Sequence, residues 1–303
     1  MTETELEVRE AVQAAEAPAG APPLAEAERR VDRVAVIKPS TGWPTIDLRE
    51  LWHYRELLGI LVWRDVKVRY KQTLIGVAWA VLQPFMTMVV FTVIFGKFAK
   101  FPSDDLPYPI FVYSGLLPWT YFASSLTQSS SSLVANATLV TKVYFPRVLL
   151  PLAAVSVPVV DFLLALVVLV GMIFYFGVPL GSAVALAPLF LLLGLATVLG
   201  VGFWLSALNV RYRDVPYAIP FLVQIWLFLS PVIYPAGALP EHWKWLFSLN
   251  PMNAVISGFR WAVLDTPAPD VRQLVLGCLA ATIFLVSGLA FFKRSEPRFA
   301  DTI

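Results

Sequence analysis

Arg64-Asp65-Val66-Lys67-Val68-Arg69-Tyr70-Lys71 leads almost directly into Leu74 to Gly96, an apolar stretch that carries no charge. Four cations in eight residues match anionic lipid headgroups, while Val66, Val68 and Tyr70 interleave apolar surface among them. This is a basic amphipathic helix feeding a membrane span, and it decides the fold class: an all-α integral membrane protein. The run also orients the chain, because Lys and Arg beside span ends concentrate on the cytoplasmic side.

Outward from that junction the composition agrees. The 303 residues are 58% hydrophobic and 15% charged, with a mean hydropathy of +0.70, more apolar content than one soluble core can hide. A net charge of +2 says little about partners, and nucleic acid is not expected among them. The single cysteine, Cys278, lies in an apolar segment, so neither a disulfide framework nor a metal-ligand cluster is indicated. Residues 1–45 are rich in Ala, Glu and Pro and lack an apolar run long enough for a signal peptide. They read as a disordered cytoplasmic tail.

Order is expected to begin with a helix over residues 46–72. Asp47 and Glu50 form a capping-box pattern, and Leu51, Tyr54, Leu58, Leu61 and Val62 recur at helical spacing opposite Arg49, His53, Glu56 and Arg64. This helix is expected to lie along the membrane surface. Residues 73–293 then supply six spans, judged against the ~20 apolar residues needed to cross the hydrocarbon: Leu74 to Gly96, Ile110 to Val134, Val148 to Phe176, Ala183 to Leu208, Ala218 to Tyr234 and Leu274 to Phe292. Ser124, Ser125, Thr127, Gln128 and Ser129 to Ser132 make the second half of span two polar, so that half should face protein or water. With the N-terminus inside, eleven cations fall on inner segments, among them Lys142, Arg147, Arg211, Arg213 and Lys293, against five on outer ones: Lys97, Lys100, Lys244, Arg260 and Arg272. Both termini are therefore expected in the cytoplasm, residues 294–303 forming a short tail. Between spans five and six, two apolar runs too short to cross are split by Asn250-Pro251, which predicts two short re-entrant or interfacial helices, with a tryptophan-anchored surface loop as the alternative.

No Gly-x-x-x-x-Gly-Lys-Ser/Thr phosphate loop occurs, so ATP hydrolysis by that route is not expected of this chain. The two histidines, His53 and His242, fall on opposite sides of the predicted membrane, which argues against a shared metal or acid–base site. No catalytic residue is assigned. Asp161 sits near the middle of span three without a Lys or Arg inside the spans as counter-ion; it is either a functional group or the partner of a neighbouring helix's hydroxyl or amide. Tyr108, Phe111, Tyr113, Trp119, Tyr121 and Phe122 cluster in span two and form either an interfacial belt or an inward surface that stacks on sugar rings. Asn136 to Arg147 is a short inner loop whose Val140, Val143, Tyr144 and Phe145 give it more apolar surface than a solvated turn needs, as a docking surface for a soluble partner would have.

The stretch from Trp63 through Lys71 to Gln83-Pro84 resembles the entry into the first span of ABC-2 type permeases of polysaccharide exporters. Lys142-Val143-Tyr144-Phe145-Pro146-Arg147 resembles that family's loop after span two, Asn209 to Val215 its loop after span four, Ser230-Pro231-Val232-Ile233-Tyr234 the end of span five, and Asn250-Pro251-Met252 with Phe259-Arg260 the outer segment before span six. The resemblance implies a homodimer of this chain with two copies of a separate ATPase that binds ATP and Mg, exporting an undecaprenyl diphosphate-linked glycan such as O-antigen across the inner membrane. Teichoic acid and capsule are moved by similar permeases. The resemblance also implies a conduit or gate involving Trp79, Phe85, Tyr108, Trp119, Tyr121, Phe122 and Arg260. Asn136, Thr138, Lys142, Tyr144 and Arg147 would belong to a coupling helix, and Arg49, Arg55, Arg64, Lys67 and Arg69 to an interface helix. Two other classes compete: an ion-coupled lipid flippase using Asp161, and a membrane glycosyltransferase, for which Asp104-Asp105 is the only adjacent acidic pair in the part expected to be ordered.

Overall fold

The computed structural model describes residues 48–71, 76–212, 214–238 and 240–302. The expected tail over 1–45, the cap at Asp47 and the junction at 72–75 lie outside the described residues. Among those described, every regular element is helical. In chain order they are α1 (Leu48–His53), α2 (Arg55–Lys71), α3 (Gly76–Phe91, continued by a π-helical turn Thr92–Phe98), α4 (Tyr108–Ala135), α5 (Ala137–Lys142), α6 (Leu149–Phe176), α7 (Ala187–Arg211), α8 (Val215–Phe228), α9 (Glu241–Ser248), α10 (Pro251–Leu264), α11 (Val271–Ser295) and α12 (Phe299–Thr302).

Four stretches are long and apolar enough to cross a membrane: Val77–Phe98, Leu149–Phe176, Val184–Arg211 and Val271–Arg298. Helix α4 is as long as α6 at 28 residues, but its second half is polar. Helix α8 has 14 residues, about 21 Å at 1.5 Å per residue. The fifth expected span thus loses its helix at Phe228, six residues before Tyr234. The physical reason is partly local and partly distant: Pro231 cannot donate, and the carbonyls of Pro231 and Val232 are drawn to Arg260 Nη2 at 3.0 and 3.4 Å.

Helix α7 is the hub, packing against α11, α4 and α10. Lipid offers no hydrophobic drive for helices to associate, so close approach depends on small residues. A Cβ on Gly288 would fall 2.0 Å from the Gly200 carbonyl oxygen, and one on Gly200 would meet Phe284 backbone at 2.4 Å. On the other side of α7, the serine run of α4 turns inward: Ser125, Ser129, Ser130 and Ser132 are buried, Asn209 Nδ2 donates to the Ser130 carbonyl at 2.8 Å, and Gly202 leaves room for Ser129. One side of the polar half of α4 therefore faces protein, while Thr127 and Ser131 on it remain exposed.

The two ends of the bundle have separate cores. At the end where α2, α5 and α12 gather, Leu61, Leu133, Val140, Phe145, Val148, Leu149, Phe292 and Phe299 pack together. At the far end α10 is almost wholly buried. Asn250 caps it, accepting from Met252 N at 3.0 Å and Trp226 Nε1 at 2.9 Å, and α9 precedes it. Gly288→Leu should overpack the α7–α11 crossing by ~1–3 kcal/mol and lower the thermal midpoint of the detergent-purified protein. Gly171→Leu, where an added Cβ would meet nothing within 4 Å, should leave that midpoint within error of the parent.

Candidate conduit and docking surface

Four helices, α3, α4, α6 and α8, each carry an interior proline: Pro84, Pro118, Pro158 and Pro220. Each proline deletes one helical hydrogen bond and crowds the carbonyl four residues back, an irregularity tolerated at membrane depth only where protein or a wet cavity takes up the freed group. These same four helices enclose a cavity of about 720 Å³. Pro84 and Pro158 line it directly, whereas α7 and α11, which have no interior proline, do not contribute to its wall.

The lining combines two chemistries. Trp79, Trp119 and Tyr121 present aromatic surface; Gln83, Thr87, Thr120, Ser124 and Gln224 present amides and hydroxyls; Arg69 and Asp161 supply charge. A mixed wall of flat apolar faces and neutral hydrogen-bonding groups suits a polyol with apolar C–H faces. The two amides, absent from the expected conduit, do carry a signal in the sequence: Gln83 and Gln224 interrupt otherwise apolar runs, a costly placement unless each faces a polar space. The denser clustering of aromatics masks it.

Asp161 has a counter-ion after all. It comes not from another span but from the basic run: Arg69 Nη2 lies 2.5 Å from Asp161 Oδ2, and the Tyr70 hydroxyl donates to Oδ1. Burial, then the adjacent Asp161 carboxylate, raises the Tyr70 hydroxyl well above its ordinary phenol value, so it stays a donor. Helix α2 accordingly packs along the first half of α6, with Leu61 buried. Its surface is not purely polar elsewhere, since Ile60, Trp63 and Val68 are exposed, as is Trp52 on the preceding α1. Arg64 Nη2 donates to Asn136 Oδ1 at 2.8 Å and Arg64 also pairs with Asp65, Arg55 lies over the Trp52 ring, and Arg49 and Lys67 are exposed.

The other conduit residues divide. Phe85 is half-buried against the main core. Phe122 is buried against Trp226 and Trp119, and the Tyr108 hydroxyl donates to the Ile233 carbonyl at 2.8 Å. Arg260, expected in the conduit or gate, is 2% exposed. Its Cζ sits 3.7 Å over the Phe111 ring and its Nε donates to Ser114 Oγ at 3.3 Å. Bonded through Nε and Nη2 in this way, the buried guanidinium holds α4, α8's unwound end and α10 together. Nearby, burial raises the Asp104 carboxyl above its ordinary value, an effect Arg260 partly offsets.

The short loop after α4 is exposed at Thr138, Lys142, Val143 and Tyr144, while Val140, Phe145 and Pro146 face inward. Arg147 is half-buried and engaged within the chain: its backbone N–H donates to Glu296 Oε1 at 3.0 Å, its Nη1 donates to the Glu296 carbonyl, and Lys293 pairs with Glu296 Oε2 at 2.9 Å. Sequence spacing gives no hint of this, since Arg147 and Glu296 are 149 residues apart.

Among known proteins, the family model described as ABC-2 type transporter matches residues 56–264. The O-antigen export system permease protein RfbA of Myxococcus xanthus is 29% identical over 259 residues, covering 84% of this chain and 98% of that protein. The protein of the same name from Klebsiella pneumoniae is 29% identical over 249 residues, 82% and 95% of the two chains. The polysialic acid transport protein KpsM of Escherichia coli is 23% identical over 237 residues, 77% and 91%.

Breaking the Arg69–Asp161 pair leaves one half-shielded charge unpartnered. Asp161→Asn should lower the thermal midpoint of the purified chain by the equivalent of ~1–2 kcal/mol, and adding Arg69→Gln should restore part of the loss. A thermal-shift double-mutant cycle reads the coupling.

Proposed function

The chain belongs to the ABC-2 type transporter family, and we propose that it is the permease subunit of an ATP-driven exporter of a lipid-linked cell-surface polysaccharide, O-antigen being the leading candidate. The relatives' names support the substrate class. The observation that carries the reading to this chain is the cavity of α3, α4, α6 and α8, with its aromatic and neutral polar wall.

In this reading the chain crosses the inner membrane six times, with α3, α4, α6, α7, α8 and α11 as spans and both termini in the cytoplasm. Helices α9 and α10 gate the outer end, and α2 is the interface helix. Two copies assemble with two copies of a separate ATPase, which binds ATP and Mg. Thr138, Lys142, Val143 and Tyr144 dock into that ATPase, and Asn136, bonded to Arg64, ties the docking loop to α2. Movement of the loop then reaches α2, and through Arg69 and Asp161 it reaches the wall of the cavity. Trp79, Trp119 and Tyr121 give successive sugar rings flat, weakly binding surfaces. An ion-coupled flippase is disfavoured: proton relays run through chains of ionisable groups, whereas Asp161 is the one carboxylate among the described residues of the cavity wall and is engaged by Arg69 and Tyr70.

Deleting the gene should abolish the surface polysaccharide on a silver-stained gel while leaving glycan to accumulate inside; an unchanged surface profile would sink the proposal. Lys142→Glu combined with Tyr144→Ala should cut export at least tenfold with insertion into the membrane intact. Trp119→Ala should slow export several-fold without lowering ATPase activity of the purified complex, measured as phosphate release.

A further inference from the structure

A second cavity lies at the far end, about 310 Å³ in volume, between the loop carrying Asp104, the unwound end of α8, helices α9 and α10 and the segment leading into α11. Its polar groups are incompletely used. Arg260 Nε and Nη2 are bonded to Ser114, Pro231 and Val232, whereas Nη1 makes no hydrogen bond to a described residue. Gln273 donates through Nε2 to Ser257 Oγ at 3.3 Å, leaving Oε1 as an acceptor. Thr266, itself buried, has no hydrogen bond from its hydroxyl to a described residue. Asp104 lines the same space and feels Arg260 electrostatically, yet no ion pair joins them among the described residues. A donor, two acceptors and a hydroxyl thus face a common volume from four separate segments.

The size decides among occupants. At roughly 30 Å³ per water, a few ordered waters do not fill 310 Å³, and the volume reaches the range of small-ligand sites. The charge pattern decides further. Asp104 and Asp270 offset Arg260 and Lys244 around the lining, which disfavours a simple anion, and among the described residues no three His, Cys, Asp or Glu converge to hold a metal. Alternating donors and acceptors beside apolar Phe247 and Pro231 match a neutral ring that bears several hydroxyls.

Resting on the export reading above, we propose that this cavity is an exit subsite that holds one sugar ring of the emerging glycan, with Arg260 Nη1, Asp104, Thr266 and Gln273 bonding its hydroxyls. The ring is held after it leaves the larger cavity, which biases a chain of repeats against slipping back. Arg260 cannot serve as the test because it also holds the helices together. Ala268 can: it lies exposed on the rim, so Ala268→Trp plugs the mouth without entering the core. Asp104→Asn keeps a residue type that tolerates the positive φ of 49° at that position.

The experiment uses the full-length chain in lipid nanodiscs and, as probe, one-repeat oligosaccharides released by mild acid from the cell-surface polysaccharide of the strain that carries it. Saturation-transfer NMR should show the wild-type chain binding the probe. The signal should fall about fivefold or more in Ala268→Trp, and by a smaller factor in Asp104→Asn, where one charge-assisted hydrogen bond is weakened. Thermal midpoints within error of wild type establish that both variants are folded. If deletion of the gene abolishes the surface glycan but the wild-type chain gives no signal, or Ala268→Trp gives the full signal, the subsite is overturned while the export reading stands. If deletion leaves the surface glycan unchanged, both fall together.

Discussion

Inside hydrocarbon a polar group without a partner costs several kcal/mol, and that constraint organises this chain. It forces every described regular element to be helical and brings Asn209 of α7 to a main-chain carbonyl of α4, while the buried Ser125 and Ser129 hydroxyls on the same face make no hydrogen bond to a described residue. It brings Arg69 and Tyr70 to Asp161. Arg260 is the extreme case: a guanidinium with almost no exposure, held by an aromatic face and, through Nε and Nη2, by a hydroxyl and two carbonyls that a broken helix has set free. The break in α8 and the burial of Arg260 are one event seen from two sides, since neither set of polar groups could be left alone.

Much of the architecture is legible in local pattern. Apolar length places α6 to within a residue at each end, and Asn250-Pro251 marks the start of α10, because a proline at the first helical position and an asparagine cap act within one turn. The end of α8 is misplaced by hydropathy for the opposite reason: its terminator, Arg260, lies 29 residues beyond Pro231. The site follows the same division. Trp79, Trp119 and Tyr121, expected in the conduit, do share a cavity wall, yet Phe85, Tyr108 and Phe122, also aromatic and in the same two helices, do not. Hydropathy does not record which way an aromatic ring points.

The loop after α4 shows the limit most clearly. Lys142 and Arg147 look alike in sequence, two cations flanking an apolar knob, but Lys142 is exposed and Arg147 is taken up by Glu296. The C-terminal residues, which read in sequence only as a tail, fold back so that Phe299 packs on Phe292 in the core beneath that loop. What seem two independent segments are one assembly.

The distribution of interior prolines has a mechanical consequence. Helices α7 and α11 are locked by glycines at van der Waals contact and carry no proline in their interiors, so together they resist bending. The four helices around the large cavity each lack one rung, and bending stiffness is lowest where a rung is absent. The helices built to bend are thus the ones that wall the cavity, and the helices built to stay straight are the pair behind them.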